Sequence, residues 1–309
     1  MAVNVSPWAS TGNRGFLNIN TLDPQQLFNA HKNRVVADAG VILNETSLLD
    51  EINFLVNNGM WKYVTFYASP EWGIKYAADG TSVIKMYGLG ATDFSVYDVG
   101  GTNNRPITLD MSVNPPEIKI WVWDGGSLLR AEKTVIPQFS KSSPFLFSAT
   151  MRDLESGDGV GISVVACRPV GNPNNIASIA VERATASGSA QKDYGYRHFA
   201  AKVFPVITVA DWLNYNKVPY TANIKNASLI SPADGKMYSY ENGMQVAVQT
   251  SPSGVLVDSS VEPLQMNIGA PDNNAASWKT GQKTYGSISR LRCLSYATSA
   301  QAALISKRG

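Results

Sequence analysis

At about residue 60 the hydrophobic pattern of this 309-residue chain changes its period from roughly 3.6 to 2, and that change dictates the rest of the reading. Before it, the spacing predicts two helices. Asp23 stands as an N-cap with Pro24 at the first helical position and Gln26 closing a capping box; Leu27, Phe28 and His31 follow at helical spacing, and Asp38-Ala39-Gly40 ends the segment. In the second, Ser47 and Asp50 supply the cap. Leu48, Leu49, Ile52, Leu55 and Val56 share one face, and Asn58-Gly59 provides a left-handed stop.

After residue 60 the pattern is that of strands, at 61–67, 83–87, 118–123, 161–167, 202–209, 235–240, 244–249, 264–268 and 286–296. Ile118, Ile120 and Val122 alternate with Lys119, Trp121 and Trp123, so both faces of that strand have something to bury. Glu241-Asn242-Gly243 joins two of the runs as a hairpin, because Asn-Gly accepts the positive φ of a primed turn. Many short strands punctuated by Gly, Pro and Asn imply a mainly β chain, an antiparallel β-sandwich or jelly roll preceded by a small α/β segment with one or two short helices. The expected organisation is an extended N-terminal arm at 1–22, a small helix-plus-strand domain at 23–98, and a sandwich at 99–309.

Composition narrows the function classes. With 26 Lys+Arg against 24 Asp+Glu, spread along the chain, there is no basic surface for nucleic acid. No run approaches the about 18 apolar residues of a membrane span. The start, Met1 to Trp8, lacks the basic and apolar regions of a secretory signal, so none is expected. Only 16% of residues are charged, a balance that suits either a surface covered by neighbours or an ordinary β domain with an uncharged exterior. Cys167 and Cys293 sit alone in apolar, strand-like settings; they have the option of facing strands but are expected as buried, reduced thiols.

Two stretches resemble known families. "RVVADAGVILNETSLLDEINFLVNNGMWKYVTFYASPEWGIKYAADGTSVIKMYGL", from Arg34, is similar to a domain of phage tail and other virion proteins. It keeps the helix, the Ala68-Ser69-Pro70 and Gly73-Ile74-Lys75 spacing and Ile84-Lys85-Met86-Tyr87, and departs from the pattern at Gly88 to Asp93. At the other end, Tyr240-Glu241-Asn242-Gly243, Ile268-Gly269 and Tyr285-Gly286-Ser287-Ile288 resemble the closing blocks of laminin-G-like, or concanavalin-A-like, jelly rolls, with Ser299 to Leu304 as a final short helix. Together these resemblances imply a structural component of a bacteriophage virion, tail-associated as a fibre, collar or adaptor. It would be made in the bacterial host cytoplasm and partnered by copies of itself and other virion proteins. The alternative they imply is a glycan- or receptor-binding fibre or capsid decoration protein that grips a host surface glycan; a polysaccharide-degrading tailspike is a more distant third.

An enzyme is not expected. Glycoside hydrolysis needs two carboxylates across the scissile bond, yet Glu155 and Asp158 flank a Ser156-Gly157 turn, and Asp110, Glu117 and Asp124 have no partner in sequence. His31 and His198, the two histidines, lack the companions of a triad or zinc site. The acidic stretch Asp153 to Asp158 offers oxygens to a hard cation but reads as a turn, so neither metal nor cofactor is expected. The remaining candidates are aromatic: Trp121, Trp123, Tyr194, Tyr196, Trp212 and Tyr215, which are suited either to stacking on sugar rings or to packing in a core or subunit interface.

Overall fold

The computed structural model describes residues 22–90, 92–101, 105–123, 125–133, 143–153, 160–161, 164–169, 179–184, 193–200, 212–214, 218–219, 224–231, 233–250, 264–269 and 283–308. All of the expected arm at 1–22 except Leu22, the expected strand at 202–209, Asp124, Tyr215, and Glu155 with Asp158 lie outside them.

Two helices open the described chain. Helix α1 (Pro24–Ala37) is capped by Asp23, which accepts from the Gln25 amide at 2.9 Å rather than forming a box with Gln26. Helix α2 (Glu45–Asn57) starts earlier than Ser47 and Asp50 suggested, because Asn44 Oδ1 accepts the Ser47 amide at 3.0 Å and nucleates the turn before it. Leu48, Ile52 and Leu55 are buried as their spacing requires, with Glu51 on the same face, and Gly59 ends the segment at φ 66°.

The strands form two antiparallel sheets. In the first, the hydrogen-bonded order runs β2 (Ile74–Tyr76), β3 (Val83–Met86), β4 (Phe94–Gly101), β7 (Gly125–Ala131), β18 (Leu264–Ile268), β10 (Val164–Pro169), β11 (Ile179–Ala184), β12 (Asp193–Ala200) and β13 (Trp212–Asn214). A short β14 (Val218–Pro219) also pairs with β12. The second sheet runs β5 (Thr108–Asp110), β6 (Glu117–Trp123), β19 (Lys283–Leu294), β8 (Phe145–Asp153), β15 (Ile224–Ser231), β16 (Lys236–Glu241) and β17 (Met244–Thr250). Strand β1 (Val64–Ala68) takes up the part of β19 that β6 leaves free, and β9 (Val160–Gly161) adds a short parallel pairing to it. The chain crosses from β6 to β7 at Gly126, whose φ of 127° and distance of 2.7 Å from a hypothetical Cβ to the Trp121 carbonyl oxygen admit no side chain. The expected hairpin joins β16 to β17, with Asn242 at φ 50° and Gly243 at φ 84°.

Between the sheets lies one apolar core, with Phe94, Leu128 and Ile268 from the first sheet meeting Phe66, Ile118, Phe147 and Cys293 from the second. A second core joins the outer face of the second sheet to the helices: Leu48, Ile52 and Leu55 pack with Tyr67, Leu146, Leu229 and Tyr240, and with Ala302 and Ile305 of a closing helix, α3 (Ser299–Ser306). The result is a mostly antiparallel β-sandwich carrying a helical third layer. The division expected at residues 98 and 99 falls inside β4, and strands between 64 and 98 are hydrogen-bonded into both sheets. The physical reason is the length of β19, which offers Arg292 and Leu294 to β1 after β6 has ended. Cys293 is buried in β19, while Cys167 lies on β10 in the other sheet.

Candidate functional site

The aromatic candidates divide between the sheets. Ile118, Ile120 and Val122 point into the core, so Lys119 and Trp121 face the other way. Trp121 is nevertheless only 6% exposed. Its ring meets that of Tyr285, its cross-strand partner, edge-on at 4.5 Å, and the Arg105 guanidinium lies over it at 4.2 Å. Such an indole is a covered aromatic, with a cation in the place a sugar ring would take. Trp123 follows on β6 opposite Lys283. In the first sheet Tyr194 opposes Val218, Tyr196 opposes Arg183, and Trp212 opposes Phe199 in a register row that continues through Ala180, Ala166 and Asn267 to Arg130. His198, on β12, opposes Val181 and Leu213.

Sequence reasoning missed a polar lattice where α1 meets the first sheet. Arg34 donates to the carboxylate of Asp93 and to the Gly88 carbonyl oxygen at 2.8 Å. Lys85 reaches Asp38 at 3.1 Å, Asp93 at 3.3 Å and Glu132 at 3.1 Å, and Lys75 pairs with Asp38 at 2.7 Å. The Lys75 bond, opposed by burial but aided by Tyr87 and Lys85, holds the Asp38 carboxyl far below the usual range. His31 stands behind this lattice, fully buried, between the Trp72 carbonyl and Arg34. Desolvation, reinforced by the Arg34 charge, lowers its pKa to about 4.

A second network ties helix to sheet. Arg292 of β19 donates to Glu51 of α2 at 2.8 Å, Tyr67 donates to the same carboxylate, and Arg308 reaches its other oxygen at 3.0 Å. Burial alone would raise Glu51, but the two arginines and the tyrosine outweigh it and bring the pKa down to about 2. Nearby, Glu71 accepts from Arg290, Ser47 and Asn44. Each of these carboxylates has fixed donors, as Glu117 has in Ser287 and Asp110 has in Lys119 and Ser112. A carboxylate so engaged is a structural anchor, since general acid–base work needs a proton exchanged with substrate. Among the described residues no group of three or more His, Cys, Asp and Glu is placed to hold a metal ion. No described helix is long and apolar enough to cross a membrane.

What the described surface does offer is an outer strand with exposed apolar side chains. Met244, Val246 and Val248, on β17, are 67%, 40% and 47% exposed. Val248 opposes Tyr238 of β16, which packs against the helix-covered core, whereas Met244, opposite Glu241, falls on the other face of the sheet. The pairing of β16 with β17 shifts register between Ser239 and Tyr240, where Gln245 and Ala247 face consecutive residues and Val246 is the extra one. A bulge on an outer strand twists the backbone edge away from further strand addition. The strand therefore offers side chains rather than a hydrogen-bonding edge.

No protein-family model matches the chain, and no curated protein does. Among solved structures it is similar to one from work on botulinum neurotoxin type C, whose cell entry is described as dependent on interaction with two ganglioside molecules, at 10% identity and a TM-score of 0.47. That match covers 82% of this chain and 52% of the other. The binding domain of Paraclostridial Mosquitocidal Protein 1 matches at 12% identity and a TM-score of 0.47, covering 80% of this chain and 52% of that one. Domain 4 of AbnA, an extracellular arabinanase from Geobacillus stearothermophilus in complex with arabinotriose, matches at 13% identity and a TM-score of 0.44, covering 79% and 99%. The chain thus spans about half the length of the first two. Likeness at this level does not extend to function.

Proposed function

We propose that this chain is a non-catalytic, tail-associated structural component of a bacteriophage virion, working by assembly with copies of itself and other virion proteins. The observation that carries the assembly role is the exposure of Met244, Val246 and Val248 along β17. Valine and methionine left in water on this outer strand forgo roughly 1 kcal/mol or more each that a partner surface would restore. The bulge at Val246 favours a partner that covers the side chains over one that adds a strand. The phage context is supported by the virion-protein resemblance of the segment from Arg34 to about Gly100. Purified phage particles probed with an antibody to this chain are the test. Stoichiometric presence is expected, with loss of incorporation for a Val246→Asp/Val248→Asp double variant that still folds. Absence of the chain from particles would refute the proposal.

A second reading, recognition of a host glycan, is favoured by the Trp121–Tyr285 pair beneath Arg105, because displacement of one exposed arginine side chain uncovers an indole face. Binding on a glycan array that disappears with Trp121→Ala would support it. An array without signal would remove it.

A further inference from the structure

Helix α1 is held to the body by an unusual central contact. His31 is fully buried, with Nε2 2.7 Å from the Trp72 carbonyl oxygen and Nδ1 3.3 Å from Arg34 Nη2. An arginine nitrogen can only donate, so Nδ1 is the acceptor and the proton of the neutral ring sits on Nε2, donated to Trp72. Both ring nitrogens are thereby committed. A second proton has to enter at Nδ1, where it would confront the Arg34 guanidinium donor to donor and charge to charge.

The surrounding charges do not relieve that conflict. Arg34 on the same helix lowers the histidine's proton affinity, whereas Asp93, ahead of β4, favours protonation by a smaller amount and is already shared between Arg34 and Lys85 of β3. Glu71, next to Trp72, is taken by Arg290 of β19. Asp38, past the end of α1, is taken by Lys75 and Lys85.

The remaining attachment of α1 runs through Phe28 and Val35, its other buried residues, through Arg34 on Asp93, and through Asp38 at its C-cap on Lys75 and Lys85. The Asp38 end is the more exposed, at 40% against 12% for Asp93. Helix α2 is anchored instead by the buried Glu51–Arg292 contact.

The geometry points to α1 as an acid-released latch: a proton on His31 Nδ1 sets two like charges side by side on one helix, one of them fully buried, and the helix lifts from the turn at Trp72 and from Asp93 to carry that charge into water while the sandwich and α2 stay folded. Local opening of this kind draws on the least stable layer of a fold. The inference is independent of the proposed assembly role.

Hydrogen exchange of the whole protein, corrected for the intrinsic pH dependence of exchange, tests it. With an open-state histidine near 6.5 and a closed one at about 4, linkage predicts that opening of α1 amides rises about 30-fold from pH 7.5 to pH 5. Amides of α2 are expected to hold steady, and His31→Gln, which cannot be charged, should abolish the rise. An α1 profile in the native chain that does not change between the two pH values would overturn the latch whatever the variant does. So would α1 and α2 opening together, or an undiminished response in His31→Gln.

Discussion

Replacing Arg292 by methionine should destabilise the protein and reverse the sign of one component of its pH dependence. Arg292 is 1% exposed, and its partner Glu51 is buried with it. In the native protein Glu51 titrates at about 2 against an ordinary 4.5, so its contribution is complete above pH 4.5 and fades as pH falls toward 2. A displacement of that size corresponds to about 3 kcal/mol, which agrees with the roughly 3–5 kcal/mol that follows loss of one member of a buried pair. In Arg292→Met the desolvation of Glu51 persists while its main compensating charge is gone, and Arg308 is only half-buried. The carboxyl is then driven above 4.5. Its folded state binds a proton more readily than its unfolded state, and acidification from pH 7.5 toward 5 stabilises the variant relative to the native chain. Urea unfolding at pH 7.5, 6 and 5 measures both effects, and Glu51→Gln/Arg292→Met, with no buried charge left, should recover more than half of the loss. A cost below about 1 kcal/mol at pH 7.5, or a relative stability that falls on acidification, would refute the reasoning.

Two further outcomes are expected. Gly126→Ala must place a methyl 2.7 Å from the Trp121 carbonyl oxygen at a φ of 127°, so thermal unfolding should shift by the equivalent of about 2 kcal/mol or more; an unchanged Tm would contradict the close approach of β6 and β7. The Cys293 thiol, buried in β19, should react with a thiol reagent only at the rate of unfolding, and rapid labelling in native buffer would show that β19 is accessible.

The sequence was legible wherever one face of an element meets solvent. Helix α2 followed from Leu48, Ile52 and Leu55, the β16–β17 turn from Asn242-Gly243, and β6 from the alternation of Ile118, Ile120 and Val122. Strand β8 escaped because it is buried on both sides. Phe145, Phe147, Ala149 and Met151 face the sandwich core while Leu146, Ser148 and Thr150 lie buried on the opposite side, so polarity no longer marks solvent. The attachment of β1 to β19 and the Glu51–Arg292 contact, 241 positions apart in sequence, leave no local trace. The same holds for the shielding of Trp121, since nothing in the strand pattern places Arg105 over its ring.

The partnership of β1 with β19 has a consequence for how the chain is made. Thr65 waits for the carbonyl of Cys293, 228 positions later, before its hydroxyl is satisfied. At ribosomal rates of about 5–20 residues per second, that interval lasts roughly 10–45 seconds. Throughout it Phe66 and Tyr67, both fully buried in the finished molecule, lack the strand beside which they are buried. The newborn chain is therefore held open at its earliest strand until its latest one emerges, a long window in which holding factors or neighbouring copies decide whether it folds or aggregates.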